Sequence, residues 1–434
     1  MARKMKDSGI EWIGEIPEGW EVIPAKFLFK NSDMRRIADD EQLTASQQFG
    51  IISQKDYTEL TGSKVVLANK GLEDWKHVKP FDFIISLRSF QGGLEMSEIT
   101  GCITWHYIVL KSCHKICSYY YKWLFKSDSY IRALQRTCSF IRDGQDLRYS
   151  NFIQVPLFEP PLAEQEKIAD YLNAECSHID AMLAKTRSSI EEYKKLKQAV
   201  ITQAVTKGVR GERERKDSGV EWIGEIPKYW NIGKLKYYWI SVESGVSVNA
   251  ADRPIDNPSQ YGVLKTSSVS KFIFNPHEHK QVNNDEYSRV TCPVTADCII
   301  VSRMNTPDLV GACGYVEKTY PNLFLPDRLW QISFKNDVSA KFIWYYLNNK
   351  MVRSYISSLS TGTSSTMQNI SQGQFGNISV CLPDSNEQEE IVDYLDAMCA
   401  EIDGLIAKKE QLVKELESYK KSLIYEVVTG KREV

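Results

Sequence analysis

The chain has 434 residues, 42% hydrophobic and 25% charged, with a formal net charge of −2. That is too long for one ordinary core and too apolar for a disordered chain, so two or more globular domains are expected. The near-neutral total gives no global argument for a polyanionic partner. No apolar run reaches the ~18 residues of a membrane span, and the opening MARKMKDSG has no apolar core of a leader, so the expectation is a cytoplasmic protein.

The first predicted element is written twice. Lys6 to Pro17 reads KDSGIEWIGEIP and Lys216 to Pro227 reads KDSGVEWIGEIP, an offset of 210, with Trp20 and Trp230 following in register. Next come apolar runs that predict buried strands, Phe83-Ile84-Ile85 in the first half and Cys298-Ile299-Ile300-Val301 in the second. Each is followed by an arginine, Arg88 or Arg303, and a Gly-containing loop. The aromatic segments starting at Tyr119 and Phe342 match at an offset of 223 and read as core helices. The second globule therefore holds thirteen more residues between its N-terminal motif and this point. Mixed strands and helices predict α+β globules.

A polar loop closes each globule, and here the halves diverge. The first has Arg142, Gln145 and Arg148 within residues 139–151; the second has Thr363, Gln368 and Asn369 within residues 361–372. Arg pairs with guanine edges and Asn or Gln with adenine edges in a DNA major groove, while Ser, Thr and Gly suit phosphates. With Arg88, Arg303 and Asn305, these are the candidate DNA-contacting residues. Local charge agrees: residues 108–150 carry eight cations against three acids, and residues 191–216 eight against four.

Two long helices complete the pattern. Glu164-Gln165-Glu166, Ile168, Asp170-Tyr171-Leu172 and Ile179-Asp180 recur 223 residues later from Glu387 to Asp403. Ile391, Leu395, Met398, Ile402, Leu405, Lys409, Leu412, Leu416, Tyr419 and Leu423 alternate steps of four and three, a heptad seam. The first copy runs Ile168, Leu172, Glu175, Ile179, Met182, Thr186, Ser189, Tyr193, Leu196 and Val200, and is wetter. Prolines precede each helix, with Asp384 or Ser385 capping the second, and Gly208 and Gly430 end them. A helix of about 43 residues is roughly 65 Å long. Two such helices sharing a seam predict antiparallel packing with a globule at the start of each.

Catalytic signatures are missing. There is no Gly-x-Gly triad, no phosphate-binding G-x-x-x-x-G-K-[ST] and no Asn-Pro-Pro-Tyr. His277 and His279 have no further ligand in sight, so no metal is expected. The ten cysteines form no C-x-x-C pair and read as buried thiols.

The arrangement resembles the specificity subunits of type I restriction–modification enzymes. The resemblance is carried by Trp12-Ile-Gly-Glu-Ile-Pro17 and its copy, by Pro161-Leu-Ala-Glu-Gln-Glu-Lys-Ile168 and Asn386-Glu-Gln-Glu-Glu-Ile391, and by Ser302-Arg-Met-Asn-Thr306, Asp308-Leu-Val-Gly311, Pro326-Asp-Arg-Leu-Trp330, Thr361-Gly-Thr-Ser and Met367-Gln-Asn-Ile370. It implies an α+β fold: two related target-recognition domains, separated by two long helices that form an antiparallel coiled coil with pseudo-two-fold symmetry. The implied boundaries are 1–160 and 211–383 for the domains, and 161–210 and 384–434 for the spacer helices. It also implies a non-catalytic subunit that reads a bipartite, asymmetric site in double-stranded DNA. Two modification subunits carrying S-adenosylmethionine and restriction subunits using Mg and ATP would act as partners, with no cofactor on this chain and no membrane. The competing reading of the residues is a coiled-coil interaction scaffold without DNA readout.

Overall fold

The computed structural model describes residues 3–63, 71–86, 93–137, 147–364 and 367–434, and over 361–364 the backbone alone. Two helices dominate it, Leu162–Lys207 with 46 residues and Ser385–Val428 with 44. Their starts are built alike. Gln165 donates to the Pro160 carbonyl at 2.8 Å and accepts from the Cys117 amide at 2.9 Å. Gln388 donates to the Pro383 carbonyl at 3.1 Å and accepts from the Ser339 amide at 2.8 Å. One side chain thus satisfies the chain entering the helix and docks the preceding globule onto it. The Asp384 carboxylate caps the second helix by accepting from the Glu387 amide at 2.9 Å. Gly208 and Gly430 end the helices with φ of 75° and 69°, a left-handed turn that favours glycine.

The chain divides into two units, residues Met1–Arg187 with Glu410–Val434, and residues Ser188–Lys409. Each contains the first half of one long helix and the second half of the other, packed antiparallel. In the first unit Lys420 pairs with Asp180 at 2.6 Å and Arg187 with Glu417 at 2.5 Å. In the second, Lys197 pairs with Asp403 at 2.6 Å. Lys197/Lys420 and Asp180/Asp403 are equivalent positions at the 223-residue offset, so the duplication preserves the ion pair itself.

The seam needs correction at every second rung. Ile168, Leu172, Ile179, Ile391, Leu395, Ile402 and Leu423 are buried and Leu416 is half-buried, but Leu196 is 47% exposed. Met182, Leu412 and Tyr419 are exposed as well. The rungs between are Cys176, Leu183 and Ile190 in the first helix, and Cys399, Ile406 and Val413 in the second, one residue later than expected. Both registers obey the 3.5-residue repeat. Adjacent apolar pairs such as Leu405-Ile406 leave the second helix ambiguous, and packing selects the stripe that also removes Glu175 and Ser189 from the seam.

In each unit the duplicated N-terminal motif folds into a hairpin in the same register, Lys6 opposite Ile16 and Lys216 opposite Ile226. Asp7 and Asp217 each accept a 2.9 Å bond from the glycine two residues on, with Gly9 and Gly219 at positive φ. Trp20 and Trp230 are buried beneath an arginine, Arg3 or Arg213, which also pairs with Glu164 or Glu387 at the start of the long helix. The motif stays nearly identical because it fastens globule to helix.

A four-stranded antiparallel sheet follows in both units. Its order is Phe29–Ser32, Ile108–Ser112, Phe83–Ile85, Glu95–Met96 in the first and Trp239–Ser244, Leu329–Phe334, Cys298–Ser302, Cys313–Val316 in the second. Helices Ser118–Lys126 and Ala340–Leu347 bury Tyr120, Tyr121, Phe342 and Tyr346 against these sheets and the long helices. A second core lies in each unit, around Leu43, Ile84 and Val109 with two two-stranded sheets in the first, and around Val269, Ile300 and Leu323 with a five-stranded sheet in the second.

Candidate nucleic-acid interface

In the second unit, two segments some sixty residues apart in sequence form one small sheet. Met304–Asn305 and Thr361–Ser364 flank a central strand, Met367–Asn369. Asn305 stands opposite Gln368, Met304 opposite Asn369, and Thr361 also opposite Asn369. Four expected contact residues, Asn305, Thr363, Gln368 and Asn369, therefore share this sheet. Arg303 is fastened to its edge: its carbonyl accepts from the Ile370 amide at 3.0 Å, and its amide donates to the Arg328 carbonyl at 3.1 Å. Strand Cys298–Ser302, fully buried, delivers Arg303 to this point.

The side chains differ in readiness. Asn369 is exposed, while Asn305 and Gln368 are half-buried. Asn305 is oriented from two sides, accepting from the Thr306 amide at 2.9 Å and donating to Ser302 Oγ at 3.4 Å. Arg303 keeps a buried Nε with no hydrogen-bond partner. Ser371 and Gln374 form a reciprocal cap on the following turn, and Gln374 donates to the Leu359 carbonyl at 2.8 Å, closing the base of the strand pair. Sequence reasoning missed Arg328. It is exposed, and its backbone bond places it beside Arg303. The only signal was its place in Pro326-Asp-Arg-Leu-Trp330.

In the first unit, Arg88, Arg142 and Gln145 lie outside the described residues. Arg148 is exposed at the start of the short helix Tyr149–Phe152, with its amide donating to Asn151 Oδ1 at 3.1 Å. Asn151 also donates to the Thr137 carbonyl at 2.7 Å, so Arg148 is held where the polar loop rejoins the globule.

His279 is a structural residue. Nδ1 lies 2.7 Å from the Pro276 carbonyl and Nε2 accepts from the Ile255 amide at 3.0 Å, which occupies both ring nitrogens with backbone. No group of three or more His, Cys, Asp or Glu among the described residues could hold a metal, and no described helix is long and apolar enough to cross a membrane. Of the nine described cysteines, all free, Cys102, Cys176, Cys298, Cys313, Cys381 and Cys399 are buried; Cys113 is exposed and departs from the expectation. Burial pushes the Cys313 thiol up to about 12, which removes it from thiolate chemistry.

Residues 259–415, which include this small sheet, match the family model of the type I restriction modification DNA specificity domain. The chain is 26% identical over 173 residues to the EcoEI specificity subunit of Escherichia coli, covering 40% of this chain and 29% of that one. It is 28% identical over 290 residues to the MjaVIII specificity subunit of Methanocaldococcus jannaschii, covering 64% and 62%. The chain thus spans less than two thirds of the length of these two curated relatives. Against the EcoKI specificity subunit of Escherichia coli K12 it is 21% identical over 441 residues, covering 96% and 90%. A chain solved in a study of complex assembly and conformational transition of the type I R-M system shares its fold with a TM-score of 0.67 at 13% identity, over 95% of this chain and 98% of that one. The HsdS subunit from Thermoanaerobacter tengcongensis does so with a TM-score of 0.55 at 14% identity, over 96% and 98%.

Proposed function

We infer that this chain, which belongs with the type I restriction–modification specificity subunits, is the non-catalytic subunit that reads a bipartite, asymmetric site in double-stranded DNA. The observation that carries the inference is the small sheet of the second unit, where Asn305, Gln368 and Asn369 meet beside Arg303. Amide and guanidinium groups on a rigid ribbon suit base-edge readout; the Thr363 hydroxyl suits a phosphate. Residues 211–383 then form one target-recognition domain. Residues 1–160 form the other, with Arg88, Arg142, Gln145 and Arg148 as its contacts. Because the two polar loops differ in sequence, the two half-sites differ.

The two long helices act as the spacer, and two modification subunits with S-adenosylmethionine dock on the chain to methylate adenine. Restriction subunits bring Mg and ATP, the reactions take place in the cytoplasm, and this chain supplies selection alone. Joining two weak readers in one chain raises avidity by roughly 10²–10⁴ without further contacts.

The test is to map adenine methylation in cells expressing the chain with its modification subunit, against cells lacking it. A gapped two-part motif that appears only with the chain is the expected result. A stable complex with the partner and no new motif would leave a coiled-coil scaffold as the function.

A further inference from the structure

A cationic groove lies in the second unit, built from a run of charges that the small sheet does not use. A groove of about 780 Å³ runs between the first long helix and the start of helix Lys350–Leu359. Lys194, Lys195, Lys207, Arg215 and Lys350 line it against a single acid, Glu191, which Lys194 holds at 2.8 Å. Lys195, Lys207, Arg215 and Lys350 are all exposed, and among the described residues none of the four forms an ion pair. The remaining polar lining is amide and hydroxyl: Gln, Thr and no carboxylate.

The internal duplication separates what the fold needs from what it does not. The first unit has the corresponding groove, about 470 Å³, along the second long helix. There the equivalents of Lys195, Arg215 and Lys350 are Ser418, Met5 and Asp128, and Thr429 precedes Gly430 where Lys207 precedes Gly208. All four cations are peculiar to the second copy. Two of the three cations of the first groove are paired instead, Lys421 with Asp128 and Arg136 with Glu11, both at 3.2 Å, and Arg132 donates to the Asp128 carbonyl at 3.3 Å. A groove that folds equally well without the four charges does not keep them for stability. Four unpaired like charges repel one another, so their gathering is a cost that a bound anion removes.

We propose that this groove is a phosphate-tracking contact for the sugar–phosphate backbone of DNA, independent of sequence and present in only one half of the chain. The proposal rests on the DNA-recognition reading above. Unpaired Lys and Arg beside neutral hydrogen-bonding side chains match what phosphate contacts use, and the groove's one carboxylate, Glu191, is already paired with Lys194. Its role is to add affinity and orientation to a site whose sequence is read elsewhere.

The experiment uses the chain assembled with its modification subunit and measures the affinity for its own site and for unrelated duplex over a salt series. Replacing Lys195, Lys207, Arg215 and Lys350 together by Ala should make the plot of log K against log salt shallower by about 3–4, near 0.9 per lost phosphate contact. Both duplexes should weaken alike, and the methylated motif should not change. Lys195→Arg, Lys207→Arg and Lys350→Arg together should keep the wild-type slope. Should the fourfold variant fold poorly, Lys195→Ala and Lys207→Ala singly should each remove about 0.9 of slope. Unchanged slope and affinity in these variants overturn the proposal, and loss of the modification subunit in place of DNA would identify an acidic protein surface as the occupant. A wild-type complex with no preferred duplex would instead overturn the recognition reading on which the groove rests.

Discussion

On the proposed reading, removal of the Asn369 side chain isolates readout from folding. The residue is exposed, on the central strand of its small sheet, and contributes its backbone to that sheet whatever its side chain. Asn369→Ala should relax one position of one half-site, by about 1–3 kcal/mol of discrimination, and leave the other half-site unchanged. Methylome sequencing reads both at once. A second residue reports on the first unit. Burial, partly offset by Lys126, holds the Glu95 carboxyl above its ordinary 4.5. The folded state therefore keeps this proton more tightly than the unfolded chain, and its contribution to stability falls as pH rises from 4.5 through the raised value. Glu95→Gln cannot titrate, so the stability of wild type minus variant should decline across that window in urea titrations at stepped pH. Residue types were legible in the sequence: Arg, Asn and Gln in polar loops are what the proposed DNA reading starts from. Their meeting was not, because strand pairing between residues 304–305 and 367–369 is non-local and leaves no periodicity to read.

The long helices were the most legible elements. Their existence, their proline starts and their glycine ends follow from local chemistry that needs no tertiary context. The register was legible only by comparing copies. Taken alone, the second helix offers two apolar stripes; the first offers only one, through Cys176, Leu183 and Ile190. Leu183→Ala should cost about 2–5 kcal/mol, as for a buried leucine, whereas Leu196→Ala should fall within about 0.5 kcal/mol of wild type. Thermal denaturation of the two variants side by side checks the assignment; equal losses would restore the register read from the heptad pattern.

Over the whole molecule, the duplication is what made the architecture readable. Two hairpin–sheet–helix units with the same strand order follow from one repeated text, and the copies differ in the second core, which carries two-stranded sheets among the described residues of the first unit and a five-stranded sheet in the second. Inserting one heptad into each long helix should change the spacing preferred between half-sites, measured on a panel of gapped duplexes; an unchanged optimum would count against the spacer role.

The membership of the two units also governs the order in which a nascent chain can mature. The second unit is one continuous stretch, but the first needs residues 410–434 to supply Leu423, Ile424, Val427 and Val428 to its core and to give the Tyr120 hydroxyl its partner, the Val428 carbonyl at 2.9 Å. The part synthesised first is therefore finished last. At ~5–20 residues per second, its apolar surface waits roughly 10–45 s for the closing segment to leave the ribosome. Release of the chain before residue 410 should yield a protease-resistant second unit and a digestible first one, a pattern that limited proteolysis of stalled chains would display. The cell that makes this protein must shelter an open core for that interval, and its chaperones are the natural candidates.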